Sequence, residues 1–139
     1  MAKILIPMSG EYIAPRFDLC TEAWIGRVEE QGKIEQERIL VLAHPSAEDM
    51  CQLIITESVD TVICNGIESQ YFDYLQWKKV LVIDSVIASV DQALEAFAQG
   101  RLQNGSILLG RWAFMDVRRL EYFKVMQPKN KLVQIVQRL

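Results

Sequence analysis

The chain has 139 residues, half of them hydrophobic, with 15 Lys and Arg against 18 Asp and Glu for a formal net charge of -3. One domain with a substantial core is the simplest reading. No apolar run approaches the roughly 18 residues of a membrane-spanning helix, and the start MAKILIPMSG lacks the pattern of a secretion signal, so a cytoplasmic protein with no membrane contact is expected.

Residues 3–8 (KILIPM) read as a central parallel strand, with Pro7 near its end because proline cannot donate to a sheet ladder. Residues 9–19 (SGEYIAPRFDL) read as an extended loop, and its place after that strand makes it a candidate site loop. The plainer alternative is a connector pinned by Ile13 and Phe17, with Arg16 and Asp18 in water. Residues 22–30 and 33–42 are expected to pair as antiparallel strands around Gln31-Gly32. Trp24 then anchors one face, and the charges of EEQGKIEQER suit an exposed hairpin or a sheet edge. Ser46 is the expected cap of a helix through Met50, Leu53, Ile54 and Glu57, with Asp49 favouring its first turn. Cys51 joins the apolar stripe of that helix or lies beside it.

Two short β-branched runs, TVIC at 61–64 and VLVI at 80–83, flank a helical segment at 68–76. This is the pattern of a parallel β-α-β unit. Asn65-Gly66 offers a turn with relaxed backbone limits, and Asp84-Ser85 opens another site loop, since ligands of parallel sheets collect beyond the strand ends. Residues 89–99 form a helix with Val90, Ala93, Leu94 and Phe97 on its apolar face and Gly100 as its stop. Residues 106–109 are a short apolar run. Residues 111–126 read as a partly amphipathic helix carrying Trp112, Met115, Leu120 and Phe123, ended by Pro128. The last stretch, with VQIVQ, fits a helix or a strand.

The charge is unevenly spread. Residues 1–100 carry 7 basic and 16 acidic residues, whereas residues 101–139 carry 8 basic and 2 acidic ones. That asymmetry suits an intramolecular or intersubunit contact; an anion or nucleic-acid surface is the other reading. Because the basic segment is equally rich in aromatic and apolar residues, a homo-oligomer or protein partner engaged through residues 106–139 is preferred over nucleic acid.

The blocks ILIP, APRFDLCTEAWI, DTVICNGIES and SVDQALEAFAQGRL, in that order, resemble the dinitrogenase iron–molybdenum cofactor biosynthesis family. The resemblance covers roughly residues 1–102 and leaves 103–139 as a C-terminal packing or oligomerisation extension. It implies a three-layer α/β domain of ribonuclease H-like layout, a mixed five-stranded sheet with flanking helices. It also implies the binding or carrying of the iron–molybdenum cofactor, its precursor or an iron–sulfur cluster. The family's His-Phe-Gly-like block falls on Arg16-Phe17-Asp18, and its Cys-Gly-Gly-Ile-Gly block on Cys64-Asn65-Gly66-Ile67-Glu68. Arginine thus replaces histidine, and it has no lone pair for a metal. The candidate cofactor-binding residues are Arg16, Asp18, Cys64, Asn65, Gly66 and Glu68. The candidate metal ligands are Cys64 and Cys20, because thiolates suit iron and other soft centres.

The three cysteines, Cys20, Cys51 and Cys64, form no C-x-x-C pair and are too few for a disulfide framework. His44 is the only histidine, and a lone histidine at a helix entrance is more often structural than catalytic. No Ser-His-Asp spacing, H-E-x-x-H or phosphate loop is present. Two-metal chemistry at Asp18, Glu68 and Asp84 would rest on fold analogy alone. The expected function is therefore a non-enzymatic binding or accessory protein, acting through loops 9–18, 65–68 and 84–86. The alternatives are a structural or protein-interaction module without metal and a nucleic-acid binder using the basic aromatic segment.

Overall fold

The computed structural model describes residues 2–108 and the backbone of Leu132–Val136. The expected helix at 111–126 and the basic aromatic stretch it carries lie outside the described residues. The described residues form a seven-stranded mixed sheet and three helices. The strands are β1 (Ala2–Ser9), β2 (Tyr12–Ile13), β3 (Glu22–Val28), β4 (Ile34–Leu42), β5 (Thr61–Ile63), β6 (Leu81–Ile83) and β7 (Leu132–Val136). The helices are α1 (Ala47–Thr56), α2 (Ser69–Trp77) and α3 (Val90–Ala98).

Strand order is β6-β5-β1-β3-β4-β7, with the two-residue β2 folded back on β1. β1 is the pivot. It runs parallel to β5 on one side and antiparallel to β3 on the other. Its ILI run can therefore be buried on both faces, and Ile4, Leu5 and Ile6 are all fully buried. Alternation then splits the core. Leu5 faces Met50, Cys51 and Ile54 of α1 and Leu75 of α2, whereas Ile4, Ile6 and Met8 share the opposite face with Val90, Ala93 and Leu94 of α3. This is a three-layer α/β arrangement.

The sheet is wider than the five strands expected. β2 is too short for any periodic signal. β7 resolves the open reading of VQIVQ in favour of a strand, paired parallel to β4 with Leu132 opposite Arg38. The β4–β7 ladder covers Arg38–Leu42; of the charges in EEQGKIEQER, Glu29, Glu30 and Lys33 lie at the hairpin turn and Glu35, Glu37 and Arg38 in β4. Gly32 closes that turn with a left-handed φ of 82°. The β3–β4 ladder shifts register between Ile25 and Arg27. At the shift, Gly26 leaves space that a Cβ would take 2.7 Å from Trp24 Cη2. The indole is fully buried there and donates its Nε1–H to Glu37 Oε2 at 3.0 Å.

The helix starts follow the sequence. Ser46 Oγ accepts the Asp49 N–H, and Ser89 forms a reciprocal capping box with Gln92. The helix ends are less obvious. All three close with paired backbone bonds of the Schellman type: Val59 N–H to Ile54 and Ser58 N–H to Ile55, Val80 N–H to Leu75 and Lys79 N–H to Gln76, Arg101 N–H to Ala96 and Gly100 N–H to Phe97. Only the third has glycine at the left-handed position; Ser58 and Lys79 adopt φ of 55° and 67°. Left-handed backbone costs an L-residue about 1–2 kcal/mol, partly offset because glycine loses more entropy on folding. Lys79→Gly is therefore expected to stabilise the fold by about 0.5–1 kcal/mol, seen as a higher urea midpoint at unchanged m-value.

Candidate functional site

The C-terminal ends of β1, β5 and β6 point the same way, because the three strands are parallel. Their loops therefore meet at one end of the sheet, where parallel α/β folds gather ligands. Backbone bonds join them. The Phe17 N–H donates to the Gly66 carbonyl at 2.8 Å, and the Gly66 N–H donates to the Pro15 carbonyl at 2.9 Å. On the far side of Gly66, the Ser85 N–H reaches the Asn65 carbonyl at 3.0 Å and the Val86 N–H reaches the Cys64 carbonyl at 3.1 Å. The first loop is also tied to the third, through Ile13 N–H to Ala88 and Val90 N–H to Glu11. Ser85 holds a left-handed φ of 58° in this rim.

Gly66 does not serve as a left-handed turn. Its role is close approach: a Cβ there would sit 2.8 Å from the Pro15 oxygen. The signal for this lay in the sequence as a lone glycine after a buried strand, but its partner loop did not.

Beside the rim lies a cleft of about 390 Å3 whose wall includes Met8, Ser9, Gly10, Arg16, Leu19 and Cys20. Arg16 is exposed and forms a two-point ion pair with Asp18, Nε to Oδ1 at 3.0 Å and Nη2 to Oδ2 at 2.6 Å. A guanidinium has five N–H donors, so three remain for a ligand. An exposed pair of this kind is worth at most about 1 kcal/mol, so an incoming anion competes with Asp18 at small cost. Leu19, 58% exposed between Asp18 and Cys20, is an apolar lip that sequence reading overlooked. A larger groove of about 580 Å3 lies between α1 and α2, bordered by Cys51, Tyr71 and Tyr74.

The other candidates are distributed differently. Asn65 contributes its backbone carbonyl to the rim. Glu68 is exposed and precedes α2 without capping it; its carboxylate accepts a bond from Gln70 Nε2 at 3.3 Å. Asp84 opens the third loop, its N–H held by Asn104 Oδ1. His44 is exposed at the entrance to α1.

Cys20 and Cys64 both belong to the core packed between the sheet and α1 and α2. Cys64 is 1% exposed, and Cys20 donates its thiol to the Phe17 carbonyl at 3.3 Å. Burial pushes Cys64 up to about 12, helped by the negative charge of Asp84 and by Cys20. Burial likewise pushes Cys20 and Cys51 up to about 11. Metal ligation needs thiolates. As folded, these thiols do not fit a metal centre, and among the described residues no three His, Cys, Asp or Glu side chains converge as ligands.

A sequence profile described as dinitrogenase iron-molybdenum cofactor matches residues 1–100. The chain belongs to the dinitrogenase iron-molybdenum cofactor family. Solved structures share its fold. PH0822 superposes with a TM-score of 0.67 at 15% identity, covering 73% of this chain and 93% of its own. MJ0327 of Methanocaldococcus jannaschii, described as a candidate dinitrogenase, gives 0.62 at 22% identity over 73% of this chain and 92% of its own. A Thermotoga protein, TM1290, described as a candidate NifB protein, gives 0.56 at 22% identity over 80% and 99%. No curated protein matches the chain. Among the described residues no helix is long and apolar enough to cross a membrane.

Two outcomes follow for the rim and the thiols beneath it. Gly66→Ala should destabilise the protein by about 1–3 kcal/mol, since the methyl group must push two bonded loops apart; urea unfolding measures this. The thiols have folded pKa values above the unfolded value of about 8.5. Their stabilising contribution is therefore complete below that pH and is lost as pH rises through about 11–12. Unfolding free energy should fall above pH 8.5 by up to about 1.4 kcal/mol per pH unit for each thiol that ionises only on unfolding. Replacing Cys64 by Ala should flatten that slope.

Proposed function

We propose that this protein is a non-enzymatic accessory protein that captures an anionic ligand at the rim formed by its three strand-end loops. The observation carrying this reading is the exposed Arg16 guanidinium, held on a loop bonded to the β5 loop through Gly66, with three N–H donors left over from its pair with Asp18. Asp18 sets the affinity by competing for the same guanidinium. Asn65 and Gly66 fix the neighbouring loop, and Glu68 adds negative charge beside it, favouring compact anions over extended ones.

Family membership supports a metal-containing cofactor, its precursor or an iron–sulfur cluster as the cargo. In this chain such cargo would be held by charge at the rim, through the Arg16 guanidinium. Ligation by Cys64 and Cys20 belongs to the proposal only in a conformation that opens the first core and lets the thiols ionise. The reading includes a ribonuclease H-like unit over residues 1–102, an extension over 103–139 that makes protein contact, and a cytoplasmic location.

The burial of both candidate thiols also favours a second reading, a protein-interaction module that has kept the family fold without its metal chemistry. Anion titration by calorimetry separates the two, with molybdate and inorganic phosphate as probes. Arg16→Gln is expected to weaken binding at least tenfold, about 1.4 kcal/mol, while Asp18→Asn tightens it. Equal binding by the parent and Arg16→Gln proteins sinks the anion site. Anaerobic iron and sulfide reconstitution read by absorption spectra then reports on thiolate ligation. A cluster lost in Cys64→Ala would place the cysteines at the cargo.

A further inference from the structure

We propose that the groove between α1 and α2 binds a small organic cation, an ammonium group carrying an apolar or aromatic body, with its charge at Glu48 and its body along Tyr71 and Tyr74. The groove shares no lining residue with the cleft at Arg16, and the proposal does not rest on the anion reading.

Helix periodicity builds the groove. Glu48, Cys51, Gln52 and Ile55 recur at three- and four-residue intervals and so share one side of α1, while Tyr71 and Tyr74 do the same on α2. Cys51 is buried and Ile55 half-buried, which makes the base apolar, and the two tyrosines add aromatic surface at its border. Its volume of about 580 Å3 falls in the range of small-molecule sites, roughly 300–1,000 Å3.

The groove is polar at one end. There the Tyr71 hydroxyl donates to Glu48 Oε1 at 2.9 Å and joins the first turns of the two helices. The Glu48 bond pushes the Tyr71 hydroxyl up to about 12, with the charge of Glu68 adding to it, and burial followed by the Glu48 charge pushes the Cys51 thiol up to about 11. The negative field therefore reaches both helices. Each helix N-terminus offsets about half a charge, which two carboxylates outweigh. Among the described residues, the lining contains no Lys or Arg.

These features select the ligand by elimination. An anion is repelled. A neutral apolar molecule would cover the carboxylate without offering it a charge. An ammonium group meets the carboxylate with charge-assisted bonds, and its body lies on rings whose faces attract cations. The chain already uses this attraction, since the Lys78 ammonium sits 5.8 Å from the Tyr74 ring. That fixed cation guards the Tyr74 end, so the ligand's charge takes the Glu48 end. Tyr71 is in place beforehand, held by Glu48 and by a ring contact with the buried Phe17 at 6.2 Å between centroids. Little ordering cost then falls on binding.

The test follows backbone amide shifts of the full-length protein by NMR during titration with phenethylammonium, with phenethyl alcohol as the neutral analogue and phenylacetate as the anion. The ammonium is expected to bind saturably and to move amides in residues 48–56 and 70–74. The alcohol should bind at least about tenfold more weakly, and the anion should leave these amides in place. Binding of the alcohol within that margin overturns the proposal, as do ammonium shifts that avoid these residues or fail to saturate at millimolar concentration. Glu48→Gln keeps an acceptor for Tyr71 and removes the charge, so it should weaken ammonium binding at least about fivefold; unchanged binding overturns the proposal. Arg16→Gln should leave ammonium binding unchanged, which distinguishes this site from the rim; a loss there would overturn the assignment to the groove.

Discussion

Gly66 gives its amide to the Pro15 carbonyl and takes the Phe17 amide on its own carbonyl, and the arrangement of the site end of the molecule follows from that exchange. The two bonds form an isolated parallel bridge between Arg16 and Gly66, outside the regular strands. They are formed at a separation where no side chain fits. Buried backbone groups must find partners, and in most loops water supplies them. Here the loops supply one another, so the rim is set by the same hydrogen-bond logic as the sheet. Arg16 lies at the centre of this stitch and is carried on a fixed backbone while its side chain stays in solvent.

Two kinds of chemistry compete for this site, and the electrostatics of burial decide between them. A thiolate requires a charge in the core, and Cys64 lies where desolvation and the Asp84 carboxylate both oppose that charge. Coulomb attraction to a metal would have to overcome both. A guanidinium at the rim pays no such penalty: it stays in solvent, and its pairing with Asp18 is weakened there. Charge recognition is therefore already available in the folded state, whereas thiolate ligation requires the core to rearrange.

Much of the fold was legible because its signals are local. The ILI, TVIC and VLVI runs are short and β-branched, Ser46 and Ser89 offer side-chain oxygens at helix starts, and Gly100 ends α3 with the residue that suits a left-handed position. The ends of α1 and α2 were not legible, since Ser58 and Lys79 take that position without a glycine to announce it. β2 escaped notice because two residues carry no period. The position of β7 depends on β4, nearly a hundred residues earlier. For the site, the loops were found from strand ends alone, but the pairing of Arg16 with Asp18, the inward turn of Cys20 and Cys64, and the steric reason for Gly66 all depend on contacts between distant segments. Ile13 and Phe17 could be read as pins and Arg16 as exposed, and they are; the distant partners of these loops could not be read.

The edges of the sheet bear on how the molecule associates. β7 pairs with β4 over Arg38–Leu42, so among the described residues β7 and β6 are the two edges of the sheet. β6 is only three residues long, with Leu81 more than half exposed and Trp77 71% exposed beside it. That apolar flank is guarded by Lys78 and Lys79. The Lys78 ammonium sits 4.8 Å from the Trp77 ring and 5.8 Å from the Tyr74 ring. Cation–π contact keeps the charge over the indole, so a second β6 edge approaching this one would meet like charge before it reached apolar surface. Edge-to-edge assembly is therefore opposed at β6 by charge.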